Sequence, residues 1–228
     1  MRGMAWMDKG AVDSAIADFN QALKLDKKLV FAHANRSFAW SVKGQHAKAA
    51  ADFKHIGKRA SKLAGLYQKH GFAMLGKRQY DRAITAFSRS ITLTPNHYYG
   101  FRSRGLAWTD KGQYDKALAD FNQAIKFRPD DAYAFRCRSV AWSGKGKSYK
   151  AFVDLTRSIQ LNPNRVMPHY LRGNISLDRG DNDSAIADYS RVIKIKESWV
   201  MAYYDRGIAW ERSGYYDKAI DDYNRVVE

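Results

Sequence analysis

The stretch that decides the fold is Tyr98–Asp131, YYGFRSRGLAWTDKGQYDKALADFNQAIKFRPDD. Moved by 34 residues in either direction, it falls on a version of itself. Later copies begin at Ala132, Val166 and Val200, and earlier ones at Ala64 and Val30, with Met1–Leu29 as the remainder of one more. A fixed period of this length is the signature of a repeat array, in which each unit buries its apolar face only against its neighbours.

Within the unit, Tyr98 is place one. Place eight is small, as Gly3, Ser37, Gly71, Gly105, Ser139, Gly173 and Gly207. Place eleven is bulky, as Trp6, Trp40, Met74, Trp108, Trp142 and Trp210, with Ser176 the exception. Place twenty is alanine in every copy, from Ala15 through Ala117 to Ala219. Four residues later stand Phe19, Phe53, Phe87, Phe121, Leu155, Tyr189 and Tyr223. Pro95, Pro129 and Pro163 close three units.

These positions predict two helices per unit. Phe101, Gly105 and Trp108 share one helical face, and Ala117, Phe121 and Ala124 another. Gly112 between them can take the positive φ that ends a helix, and Pro129 forbids continuation past the second. Gly105 and Ala117 let the two helices approach closely. The small residue, the tryptophan, the alanine, the aromatic and the closing proline together resemble the tetratricopeptide repeat. The resemblance covers nearly the whole chain. It implies an all-α, right-handed superhelical solenoid of antiparallel helix hairpins, with a concave groove lined by the first helix, A, of each hairpin. On this reading residues 1–228 form a single array: a partial unit 1–29, full units 30–63, 64–97, 98–131, 132–165 and 166–199, and a partial unit 200–228.

The units are not equal. Arg78 stands where the other units carry a turn glycine, and Gly57-Lys58-Arg59 stands where they carry aliphatic residues. The joint of units two and three is therefore expected to be the least regular. Place seven is arginine and place twenty-three aspartate in the same six units, including Arg104 and Asp120; unit three has His70 and Ala86 instead. An ion pair across each A/B hairpin is the expected reason. Units one and seven look truncated and uncapped, so the expectation is that either the native protein continues past them or an end packs on another copy.

The net charge is +16. By unit it runs +1, +6, +4, +1, +6, 0 and −2, so units two to five carry the excess. This predicts attraction to acidic partners. The basic residues spread over turns and outer faces without a stacking platform, which disfavours nucleic acid. No apolar run is long enough to span a membrane, and the single Cys137 forms no internal disulfide, which fits a reducing, cytoplasmic setting.

Catalytic motifs are missing. Gly144-Lys145-Gly146-Lys147-Ser148 resembles a phosphate loop, but Ala141 replaces its first glycine and no strand precedes it. The six histidines have no metal-ligand spacing, and His33 and His169 sit where phenylalanine packs in other units. The chain is expected to be non-enzymatic, without cofactor or metal.

Members of the resembled family mostly bind peptides or protein surfaces. In that geometry places two, five and nine of helix A face the groove. The candidate peptide-binding residues are Tyr99, Arg102, Tyr133, Arg136, Tyr170, Asn174 and Tyr204. Some members grip the C-terminal carboxylate of heat-shock chaperones with a Lys/Asn clamp. The corresponding series here, Arg102, Leu106, Cys137, Met167 and Leu171, does not fit that clamp.

Overall fold

The structure, a computed structural model, describes residues 2–227. The outermost residue at each end of the partial units 1–29 and 200–228 lies outside the described residues. All regular structure among the described residues is helical, and the chain divides into two compact units, Met1–Arg128 and Pro129–Glu228.

The first unit holds α1 (Arg2–Asp8), α2 (Val12–Leu25), α3 (Val30–Val42), α4 (His46–Ile56), α5 (Ala60–Gly76), α6 (Tyr80–Leu93), α7 (Tyr98–Asp110) and α8 (Tyr114–Phe127). The second holds α9 (Ala132–Gly144), α10 (Ser148–Leu161), α11 (Val166–Asp178), α12 (Asn182–Ile195), α13 (Val200–Arg212) and α14 (Tyr216–Val227). Odd-numbered helices are the A helices and even-numbered ones the B helices. Consecutive A and B helices pair as antiparallel hairpins.

The A/B turn follows from glycine chemistry. Gly112 has φ 76°. The N–H of Gly112 donates to the Thr109 carbonyl at 2.9 Å, and that of Gln113 to the Trp108 carbonyl at 2.8 Å. This paired closure satisfies the last carbonyls of α7 and needs a left-handed residue, which glycine adopts without steric cost. Arg78 makes the same closure at φ 56°, the one non-glycine residue with positive φ among the described residues.

Each hairpin core is set by place eight against place twenty-four. A Cβ added to Gly105 would lie 2.7 Å from the Phe121 ring, and one added to Gly173 would lie 2.8 Å from the Tyr189 ring. The glycines exist because the aromatic edge already fills that space. Ala117 and Phe121 are fully buried, as are Ala185 and Tyr189 in the second unit. Unit five carries Leu155 in place of the aromatic, and there Ser139 is accommodated.

The expected cross-hairpin ion pair is present in all six hairpins that carry it. Arg104 donates from Nε and Nη2 to the two Asp120 oxygens at 2.8 and 2.7 Å. The same two-pronged geometry joins Arg2–Asp18, Arg36–Asp52, Arg138–Asp154, Arg172–Asp188 and Arg206–Asp222. The third guanidinium nitrogen does more than the sequence predicted: it reaches back to the preceding hairpin. Arg36 Nη1 donates to Asn20 at 2.6 Å and Arg104 Nη1 to Ser88 at 3.0 Å. In the second unit Arg172 Nη1 reaches Thr156 at 3.2 Å and Arg206 Nη1 reaches Ser190 at 2.9 Å. One arginine thus ties three helices.

The tryptophans at place eleven carry a second repeated contact. Lys48, Lys116, Lys150 and Lys218 lie over Trp40, Trp108, Trp142 and Trp210, with the ammonium 4.4–4.6 Å from the ring centroid. Where Ser176 replaces tryptophan, Ser184 replaces the lysine.

The joint between α4 and α5 departs from this scheme. Helix α4 stops at Ile56, three residues short of its counterparts, and a 3-10 turn, Gly57–Arg59, leads directly into α5 at Ala60. Helices α3, α7, α9, α11 and α13 begin at place one; α5 begins four residues earlier. Gly57 has φ 52° and ψ −135°, a conformation open to glycine. Helix α3 packs on α6 here. That contact buries Arg89 at 3 % exposure, with its guanidinium over the rings of Phe38 and Tyr67. Burial lowers the pKa of Arg89 and raises that of Tyr67 to about 12. The missing Arg–Asp pair at His70 and Ala86 belongs to the same place, and Lys54 stands where a neutral acceptor receives the arginine in other hairpins.

Candidate peptide-binding face

The A-helix positions expected to face the groove behave differently along the chain. In unit two Ala34 and Phe38 are buried, and in unit three Gln68 is buried. Arg89 lies over Phe38, so this part of the face is already occupied by the protein's own α6. Sequence spacing could not show it, because the contact depends on the altered α4–α5 joint.

In α7 the face is available. Tyr99 is half-buried and tilts against Phe72, with ring centroids 6.2 Å apart. The Arg102 guanidinium sits over Tyr99 at 4.8 Å and over Tyr98 at 5.4 Å. Such stacking costs the guanidinium little hydration.

In the second unit the candidates form separate groups. Arg136 lies over Tyr133 at 4.5 Å, and Tyr133 is 44 % exposed. The pair repeats the Arg102–Tyr99 arrangement. Tyr170 donates its hydroxyl to Asp205 at 2.7 Å, and Tyr189 donates to Asn174 at 2.9 Å. Burial, reinforced by the Asp205 hydrogen bond, raises the Tyr170 pKa to about 12. Tyr170 also packs against Trp199 at 5.7 Å. Tyr204 is 46 % exposed and leans on Tyr223 at 6.0 Å. Asp205, which sequence reading did not place at the face, gives it one acidic acceptor beside the two aromatic groups.

His33 and His169 are not packed rings alone. His33 Nδ1 is 2.8 Å from Asp52 and its Nε2 3.0 Å from the Lys27 carbonyl. His169 repeats this with Asp188 and the Pro163 carbonyl. The extra donor has an electrostatic effect. Burial pushes the Asp188 carboxyl up, but the bonds from His169 and Arg172 outweigh it and hold the group below its usual range. Asp120, which has Phe101 in place of the histidine, is held above that range by burial despite Arg104. No group of three or more His, Cys, Asp or Glu residues stands together as a metal site among the described residues. Among the same residues, no helix is long and apolar enough to cross a membrane.

A tandem array of helix hairpins defines a class of protein–protein interaction scaffolds. Residues 105–141 match the family described as TPR repeat, and residues 170–228 that described as Tetratricopeptide repeat. The chain carries tetratricopeptide repeats over these residues. Solved structures agree. A crystal structure of MamA is similar at 24 % identity and TM-score 0.64, covering 73 % of this chain and 91 % of that one. YrrB, described as a TPR protein with an unusual peptide-binding site, is 14 % identical at TM-score 0.59, covering 92 % and 90 %. TTC0263, a thermophilic TPR protein of Thermus thermophilus, is 18 % identical at TM-score 0.57, covering 72 % and 90 %. No curated protein sequence matches this one at a significant level.

Proposed function

We propose that the chain is a binding scaffold whose A-helix faces take an extended acidic peptide of a protein partner. The observation that carries this reading is the repeated seating of a guanidinium on tyrosine at the groove positions, Arg102 on Tyr99 and Arg136 on Tyr133. Aromatic rings supply contact area at low entropic cost, and arginine supplies direction toward carboxylates. Within the second unit, Tyr170, Asn174 and Tyr204 stand at groove places of later A helices. The peptide-binding site named for YrrB is consistent with this use of the fold. The test is an array of acidic peptides probed with the native chain and with Arg102→Ala/Arg136→Ala. The variant is expected to lose bound peptides at about tenfold or more in affinity. An unchanged binding profile refutes the assignment.

A second reading has its own observation. Ile186 is buried at 8 % exposure in α12, whereas Ile220, at the same place in α14, is 55 % exposed, with Tyr216 exposed beside it. We infer that α14 stacks on a second copy of the chain. Mass in solution that rises with concentration, and that Ile220→Asp returns to the monomer value, is the expected result. A monomer at all concentrations removes this reading.

A further inference from the structure

A cavity of about 520 Å³ opens in the first unit, away from the tyrosine-bearing places of the A helices. Its floor is apolar, from Leu23 and the aliphatic stems of the side chains around it, and its charged or imidazole ends come from Lys24, Lys27, His33, Arg36 and His55, with Asn20 beside them. The size falls in the range of small-molecule sites. Asp52 is the carboxylate bonded to these walls, and it is committed. It receives Arg36 at 2.8 and 2.6 Å and His33 at 2.8 Å. Asp26, next in sequence to Lys27, accepts from the backbone N–H of Lys28. The ammonium groups of Lys24 and Lys27 have no carboxylate partner among the described residues. The His55 ring stacks on buried His33 at 4.4 Å between centroids and 13° between planes, which presents it at the cavity edge.

The repeat supplies an internal control. Two hairpins further on in the same unit, the places of Lys24, Lys27, His33 and His55 hold Thr92, Pro95, Phe101 and Gln123. In the second unit they hold Gln160, Pro163, His169 and Arg191. The backbone frame is common, but only the first joint gathers two lysines and two imidazoles around it. Stacking of the hairpins requires none of these side chains, since the other joints form without them.

We propose that this cavity binds a small multivalent phosphate-bearing anion. Lys24 and Lys27 supply mobile charge, His55 an N–H donor, and the Arg36–Asp52–His33 cluster a fixed wall. A phosphate group offers several acceptor oxygens to such donors, and converging cations on an open concave surface attract it. The same chemistry is found in a free di- or polyphosphate and in a phosphorylated lipid headgroup. The experiment therefore has two arms, inorganic pyrophosphate and vesicles containing a phosphorylated inositol lipid.

Binding of each is measured by calorimetry and by amide chemical shifts on the native chain, on Lys24→Glu/Lys27→Glu, and on Lys126→Glu/Lys194→Glu. The last variant changes charge equally, and both of its lysines occupy the place of Lys24 in other hairpins. Thermal melts establish that each variant folds. Expected are saturable pyrophosphate binding with shifts at the cavity residues, a loss of about tenfold or more in the first variant, and a change of about twofold or less in the charge-matched one. Binding to both probes assigns the site to headgroups as well, and binding to pyrophosphate alone assigns it to a soluble anion. Equal losses in the two variants, no saturation, or binding to vesicles without pyrophosphate overturns the proposal.

Discussion

The hairpin α7–α8 and the region around the joint α4–α5 share a sequence template and differ in the contacts that tie one hairpin to the next. In α7–α8, Gly112 closes the turn, the Phe121 edge fills the space beside Gly105, and Arg104 binds Asp120 and then Ser88 of the hairpin before it. At the joint, the arginine, the aspartate and the neutral acceptor are replaced together, as His70, Ala86 and Lys54. Helix α4 ends early, α5 begins early, and α6 covers α3 instead. The difference shows that repeat geometry is held by a linked set of residues. Once the arginine is gone, the acceptor has no reason to remain neutral, and the next helix is released from its fixed start.

The largest test removes the tie. Arg104→Ala leaves Asp120 buried without its cation and is expected to cost about 3 kcal/mol or more in denaturant unfolding. His70→Ala, at the same place in the irregular unit, is exposed and should change stability by about 0.5 kcal/mol or less. Similar losses from both would erase the contrast.

The next test uses glycine twice. Gly105→Ala drives a methyl against the Phe121 ring and should destabilise by about 1–3 kcal/mol. Gly65→Ala, in α5, meets nothing within 4 Å and should stabilise by about 0.5–1 kcal/mol through helix propensity. A destabilising Gly65→Ala would mean that α5 is more tightly packed than its open surroundings at Gly65 imply.

The smallest effect is at the turns. Arg78→Gly should gain about 1 kcal/mol by removing a Cβ from the left-handed region, and Gly112→Ala should lose about as much. Thermal melts of the two variants should move in opposite directions; movement in the same direction breaks the turn assignment.

Much of this was legible in the residues. The period places the starts of α7, α9, α11 and α13, because a strict spacing of small, bulky and turn residues leaves little freedom in the hairpin. The Arg104–Asp120 pairing was readable because both residues vanish together in unit three. The back-bond to Ser88 was present in the same covariation but hidden, since serine, threonine and asparagine look unrelated until an arginine points at them. The lysine over Trp40, Trp108, Trp142 and Trp210 was harder to read: it is lost with the tryptophan at Ser176 and Ser184, but Trp6 stands with Ser14 at the lysine's place. At the candidate face, spacing identified Arg102 and Arg136 as neighbours of tyrosine, but not the binding of Tyr170 to Asp205. The burial of Arg89 left no trace at all. Its place holds Gln21, Gln123 and Arg157 elsewhere, all exposed, and only the α3–α6 contact distinguishes it.

The triple grip of Arg36, Arg104, Arg172 and Arg206 has a mechanical side. Where it is present, a hairpin cannot peel away without freeing a charge in its neighbour's keeping, so adjacent hairpins unzip as a block. Between α4 and α5 that grip is missing and a glycine-led 3-10 turn carries the chain across. There the first unit leans on packing instead: α6 lies on α3, so pulling that seam apart means wetting the Arg89 guanidinium and the rings of Phe38 and Tyr67 beneath it.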